Sequence, residues 1–236
     1  MRVVKDIVTR EVFERFPEYI RGVIIGRGLN NDGENPKLVG LLREVEARSV
    51  QDESLQAIKT HPRIAPWRQA YSDFGTNPNK FYCSIESLAR RARRGDQLPY
   101  INTLVALFNY FSLKYIVPSG GDDLHSVDGD LLLTIAKGDE PFTPLNSDFL
   151  ETPPSGEVIY VDNSKVMCRR WNWRQGDQTK LLPTTTDVAI NIDCLPPVSR
   201  QEAEVITGEL ADLVKEFCGG QVTYVLLDAA NNEAEV

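Results

Sequence analysis

Asp187-Val-Ala-Ile-Asn-Ile-Asp193, then Ser199-Arg-Gln-Glu202, then Gln221-Val-Thr-Tyr-Val-Leu-Leu227 is the part of the chain whose reading decides the fold. The first segment alternates polar and apolar residues, which predicts a strand with Asp187, Asn191 and Asp193 on one face. Ser199 with Glu202 has the spacing of a capping box. Val205, Leu210, Leu213, Val214 and Phe217 follow as an apolar helix face, and Gly219-Gly220 stops the helix. Residues 221–227 predict a further strand, and the acidic tail at 229–236 is expected to fray.

The same signals extend toward the N-terminus. Apolar runs bounded by turn residues predict strands at 20–28, 131–136, 157–161 and 166–169. Periodic apolar positions predict one helix, or two broken near Ser49, over 37–59, and further helices over 84–94 and 100–115. His61 to Asn79, with its prolines, reads as an ordered loop around Trp67 and Tyr71. Ser119-Gly120-Gly121-Asp122-Asp123 and Pro153-Pro154-Ser155-Gly156 read as turns. Helices and strands come in clusters rather than strict alternation, which points to the α+β class: packed helices on a mixed or antiparallel sheet. Neither an internal repeat nor a low-complexity linker divides the chain, so residues 1–236 are expected to form a single compact domain.

Charge and residue usage narrow the function classes. A formal net charge of −8 argues against broad coating of nucleic acid, whose affinity comes from neutralised phosphates, but leaves room for a local basic patch. The four cysteines form no Cys-x-x-Cys pair and read as buried thiols of a reducing compartment. Only two histidines are present, so a multi-histidine metal site is excluded and a serine-histidine-acid triad has few ways to form. The start Met-Arg-Val-Val-Lys-Asp lacks the apolar run of a signal peptide, and no stretch approaches the roughly 20 apolar residues of a membrane span. A cytoplasmic protein without metal or cofactor, and without membrane contact, is the expectation.

Four places could carry chemistry. Arg169 to Arg174 holds three arginines and two of the chain's three tryptophans. If the segment were extended, Trp171 and Trp173 would line one wall, with Arg170, Asn172 and Arg174 on the other; the competing reading is two core indoles with snorkelling arginines. Arg90, Arg91, Arg93 and Arg94 cluster on one helix, either as a phosphate-binding face or as a solvated face completing the helix dipole. Gly120 to Asp123 would let a ligand approach the main chain and could bind an amine, or is a plain turn. His61, beside Pro62 and Arg63, is either a general acid or base or a structural loop residue.

The order of motifs also matters. Trp67-Arg68-x-x-Tyr71-x-x-Phe74-Gly75, Ser84-Ile85-Glu86-x-Leu88-x-x-Arg91, Leu98-Pro99-x-Ile101-Asn102, Pro118-x-Gly120-Gly121-Asp122-Asp123, Gly138-Asp139-Glu140-x-Phe142 and Arg169-Arg170-Trp171-Asn172-Trp173-Arg174 follow one another. In this the chain resembles the stand-alone B3/B4 domain proteins, which are similar to the editing domain of the bacterial phenylalanyl-tRNA synthetase β subunit. The likeness is strongest over residues 60–195. The resemblance implies a deacylase acting in trans on mischarged tRNA. It departs from the synthetase at several points. Gly120-Gly121-Asp122-Asp123 stands where the synthetase domain has His-Ala-Phe-Asp, Ala106 replaces an aspartate, bulky residues replace a glycine-rich turn at 170–174, and Asn191 stands near the position of a glutamate that reads tyrosine.

On this resemblance and the grouped residues, Asn102, Asn109, Asp123, Trp171, Asn172, Trp173, Thr185 and Asn191 are expected to line an amino-acid pocket. Asn102, Glu140 and Asp193 are candidates for orienting water or the substrate ammonium. Arg90, Arg91, Arg94, Arg170 and Arg174 are candidates for holding the aminoacylated 3′ end of tRNA. Two other classes stay open: a non-catalytic module for tRNA or an amino-acid-like ligand, and a hydrolase of small amino-acid esters or amides. A positive channel leading to the pocket would favour RNA, and an acidic rim a small ligand.

Overall fold

The structure, a computed structural model, describes residues 4–236. Met1 to Val3, part of the segment read above as lacking a signal peptide, lies outside the described residues. Two sheets carry the architecture. One is mixed, in the order β10 (Glu233–Glu235), β1 (Lys5–Val8), β4 (Leu131–Ile135), β5 (Val158–Val161), β6 (Val166–Arg169) and β7 (Arg174–Gln175). The other is antiparallel, in the order β3 (Ser119–Asp123), β8 (Val188–Cys194), β2 (Ile20–Arg27) and β9 (Gln221–Leu227). This is the α+β class that clustered strands and helices imply.

The central strands β2 and β8 of the antiparallel sheet are buried on both faces, and alternation assigns their side chains. Gly22, Ile24, Ile190 and Ile192 face α5 (Thr103–Tyr115) and α6 (Arg200–Cys218), in a core with Leu107, Phe111, Ile206, Leu210 and Val214. A Cβ on Gly22 would strike the Thr207 side chain of α6, so that helix lies directly on the strand. Arg21, Val23, Ala189, Asn191 and Asp193 take the opposite face, toward the mixed sheet. There they meet a second core that includes Leu131, Leu133, Val158, Tyr160 and Met167. Helices α3 (Ala65–Asp73) and α4 (Ser84–Arg93) add Trp67, Tyr71, Ile85 and Ala89 to it.

Several local expectations are corrected. The segment read as a loop after His61 contains α3, because Pro66 sits in the first helical turn, where its missing N–H costs nothing. The 37–59 region is helix α2 (Pro36–Gln51) followed by two short 3-10 turns, at Glu53–Leu55 and Ile58–Thr60. The Gly-Gly-Asp-Asp segment is strand β3 rather than a turn, paired along its whole length with β8. Val205, assigned to the apolar face of α6, is 61% exposed; Ala203, Ile206 and Leu210 form the buried stripe. The tail is ordered at its end, where β10 pairs antiparallel with β1. Ser199 caps α6 by accepting from the Glu202 N–H at 3.2 Å, but the Glu202 carboxylate turns away to Arg63.

Candidate functional site

A cavity of about 720 Å³ opens between the two sheets and helices α4 and α5. Gly120, Asp122 and Asn191 present the inner face of the antiparallel sheet to it; Tyr160, Cys168 and Gln175 come from the mixed sheet. Adjacent strand positions explain the pair of glycines. A Cβ on Gly121 would lie 2.9 Å from the Ala189 carbonyl oxygen, so glycine is required for the strands to approach. A Cβ on Gly120 would meet only Asn191 Oδ1, at 4.0 Å, so that glycine leaves open space on the cavity side.

The Arg-Trp-Asn-Trp segment is a tight turn instead of an extended wall. Arg170 and Trp171 hold φ values of 48° and 63°, the left-handed region that glycine adopts most readily. The turn sends the two indoles apart. Trp171 is fully buried, with ring centroids 4.8 Å from Phe16, 4.9 Å from Tyr19 and 5.1 Å from Trp67. Trp173 is half-buried against Phe81 at 5.1 Å and reaches the cavity wall. Between the Phe81 and Trp173 rings, at 3.8 and 4.2 Å from their centroids, lies the Arg170 guanidinium. Burial lowers the Arg170 pKa, against the opposing pull of Glu157.

Asn172, at the centre of this turn, ties the site together. Its carbonyl accepts from the Ser84 N–H at the start of α4 at 2.9 Å, and its Oδ1 accepts from the Tyr71 hydroxyl at 3.0 Å. Its Nδ2 donates to Asp193 at 3.2 Å. Asp193 also accepts from the hydroxyls of Tyr19 at 2.6 Å and Tyr160 at 2.5 Å. Burial raises the Asp193 pKa, while Arg21 and these three donors pull it back. Arg21 stacks on the Tyr160 ring at 4.5 Å and pairs with buried Asp6 at 2.9 Å.

The cavity brings together seven of the residues assigned from sequence to the pocket or to tRNA, Arg91, Asn109, Trp171, Asn172, Trp173, Arg174 and Asn191, with Gly120, Gly121 and Asp122 of the segment read as a possible amine site. The strand face carrying Asn191 therefore does meet the Trp-Asn-Trp segment. Other candidates lie elsewhere, for identifiable reasons. Asn102 caps α5, accepting from the Val105 N–H at 2.9 Å and donating to the Leu181 carbonyl at 3.0 Å. Asp123 and Thr185 bind each other at 2.6 Å. Glu140 accepts from the backbone N–H groups of Lys137 and Gly138 at 2.7 and 3.0 Å, which outweigh partial burial and lower its pKa. Asp193 lies behind Tyr160 and Asn172. Arg90 is held by Glu86 at 2.7 Å and stacks on Tyr82, and Arg94 pairs with Asp96 at 2.8 Å. His61 accepts from the Arg63 N–H at 3.1 Å, away from the cavity, and partial burial lowers its pKa.

Sequence reading missed Gln175 and Tyr160, and it offered Asp122 only as one of two aspartates in a segment that could bind an amine. The pairing of β3 with β8 separates the two aspartates, placing Asp122 on the same face as Gly120 and Asp123 on the other. Among the described residues no group of histidine, cysteine, aspartate or glutamate side chains could hold a metal ion, and no helix is long and apolar enough to cross a membrane. The four cysteines are free, and burial pushes the Cys83 thiol up to about 12.

Two sheets enclosing a cavity, with helices on the outer face of one, define an α+β fold with an interior cavity. Residues 66–219 match the B3/4 domain family, and the chain belongs to that family. A similar solved structure is an N-terminal fragment of the phenylalanyl-tRNA synthetase beta-subunit from Pyrococcus horikoshii, at a TM-score of 0.50 and 11% identity. The match covers 94% of this chain and 54% of that one, so the chain spans about half of the fragment, and the likeness is one of fold. No curated protein matches the chain.

Proposed function

We propose that this tRNA-synthetase-related domain takes the aminoacylated 3′ end of a tRNA into the cavity and hydrolyses the ester of a wrongly attached amino acid, acting in trans. The observation that carries the proposal is the distribution of polar groups around the cavity. At about 720 Å³ it lies within the range of small-ligand sites. Arg91 and Arg174 line it without an ion-pair partner among the described residues, two cations free to meet phosphate in an acidic protein. Trp173 and the exposed side chains Ile101 and Leu182 line it too, offering apolar surface for a terminal base. Inside, the Asn109 and Asn191 amides have no hydrogen-bond partner among the described residues and supply donors for a carbonyl oxygen that becomes negative during hydrolysis. A positioned water then suffices as nucleophile, without a serine or cysteine.

The test is a panel of mischarged tRNAs incubated with the purified protein. Release of at least one amino acid about tenfold faster than in buffer is expected. Gly120→Leu, which fills the cavity from its floor, is expected to abolish that release. Release no faster than in buffer across the panel sinks the hydrolytic reading; tRNA binding that survives Gly120→Leu sinks the role of the cavity.

A further inference from the structure

The cavity contains a carboxylate whose environment is half finished. Asp122 is 5% exposed. Its Oδ1 accepts from the Thr179 hydroxyl at 2.5 Å and from Gln175 Nε2 at 2.6 Å, so the plane of the carboxylate is fixed. Its Oδ2 has no hydrogen-bond partner among the described residues and is not fully enclosed, so it opens onto the cavity that Asp122 lines. Among the described residues no cation closes on it within ion-pair distance. Lys180 is paired with Asp177 at 2.8 Å, and Arg91 and Arg174 make no ion pair with a carboxylate of the described residues. Arg21 is committed to Asp6. A buried carboxylate without a counter-charge is unfavourable unless a cation completes it.

We infer that Asp122 binds a cationic ammonium group of the ligand, with its anionic portion held at Arg91 and Arg174. This rests on the reading that the cavity is the ligand site, and it adds the chemistry that the ligand must present: an amine inside and an anion outside. Asp122 thereby selects a charged amine over an acylated one. Two sources share that chemistry, the α-ammonium of an aminoacyl group and the ammonium of a basic side chain. The residue two places before it contributes space: Gly120 leaves the carboxylate reachable, where a larger side chain on the same strand face would cover it.

The probes are adenosine 5′-phosphate derivatives carrying each proteinogenic aminoacyl group through a non-hydrolysable 3′-amide, with the α-amine free or acetylated, titrated into the full chain by calorimetry. If the α-ammonium is read, acetylation weakens the tightest probe by about tenfold or more. If a side-chain ammonium is read, only the basic probes bind, and acetylation of their α-amine leaves them bound. Either way Asp122→Asn, which keeps acceptors for Thr179 and Gln175 but removes the charge, weakens the tightest probe by about tenfold, with an unchanged circular dichroism spectrum. Binding by Asp122→Asn within about twofold of the unaltered chain overturns the inference, as does binding of no probe, or indifference to both acetylation and side-chain charge. The two proposals fail separately. Deacylation of a tRNA that Asp122→Asn performs equally well removes the inference and leaves the hydrolytic function. Asp122-dependent binding of amines without deacylation of any tRNA does the reverse.

Discussion

The two faces of the antiparallel sheet are built from the same strands and differ in how their burial is satisfied. On the face toward α5 and α6, Gly22, Ile24, Ile190 and Ile192 meet other apolar groups, and shape alone decides the fit. On the face toward the mixed sheet, Arg21, Asp193, Asn191 and Asp122 are equally hidden from bulk water but polar. Each of those must find a specific partner. Asp193 finds three within the protein, whereas Asp122 keeps one oxygen, and Asn191 its amide, facing the cavity. A satisfied buried polar group is architecture, and an unsatisfied one bordering a cavity is the place to look for a ligand.

The largest expected effect comes from breaking the satisfied part of the polar face. Asp193→Ala strands two tyrosine hydroxyls and the Asn172 amide, and it removes a negative charge near buried Arg21. A loss of about 3–5 kcal/mol of stability, measured by denaturant titration, is expected. A loss under about 1 kcal/mol would show that water replaces the carboxylate and that the network is not structural.

The neighbouring glycines compare the two faces within one strand. Gly121→Ala must displace the Ala189 carbonyl at 2.9 Å and should cost about 1–3 kcal/mol. Gly120→Ala points its methyl into the cavity and should change stability by less than about 0.5 kcal/mol. Equal effects in a pair of melting curves would contradict the assignment of Gly120 to the cavity side.

The smallest effect is a change of slope. Burial raises the Asp122 pKa above its ordinary value, against the pull of Thr179, Gln175 and Arg21. The folded chain therefore holds this proton longer than the unfolded chain, and stability falls as pH rises from about 4 until the folded-state group has ionised. Asp122→Asn removes that fall, so the variant should gain on the unaltered chain between acid and neutral pH. A parallel pair of pH–stability curves would mean that the carboxylate is not desolvated. Arg91→Gln and Arg174→Gln, with no ionic partner among the described residues to lose, should leave stability within about 0.5 kcal/mol while weakening the binding of an anionic ligand.

Much of the fold is legible in local signals. Strands β2, β5, β6, β8 and β9 follow from alternation or apolar runs, and α4, α5 and α6 from caps and periodicity. The misreadings have physical causes. Pro62 and Pro66 suggested a loop, although proline in a first turn starts a helix as readily as it ends one. Gly120 to Asp123 has the composition of a turn; it is held as a strand by pairing with β8 and by Thr179, Gln175 and Thr185, none of them local to it. The Trp-Asn-Trp wall failed because a period of two holds only for an extended chain, and two residues with positive φ reverse it.

By itself the sequence determined the α+β class, the membership signals of the B3/4 domain family and the strand face on which Asn191 and Asp193 stand. Periodicity, caps and motif order are properties of neighbouring residues, so they survive without coordinates. Which polar side chains are consumed in the architecture and which remain facing the cavity was decided only by tertiary structure. Asn102, Asp123, Thr185 and Asp193 look as suitable for binding as Asn109, Asp122 and Asn191 until their distant partners are known. A hydrogen-bonding group's availability depends on what the fold places within about 3 Å of it, across separations along the chain that no local pattern encodes.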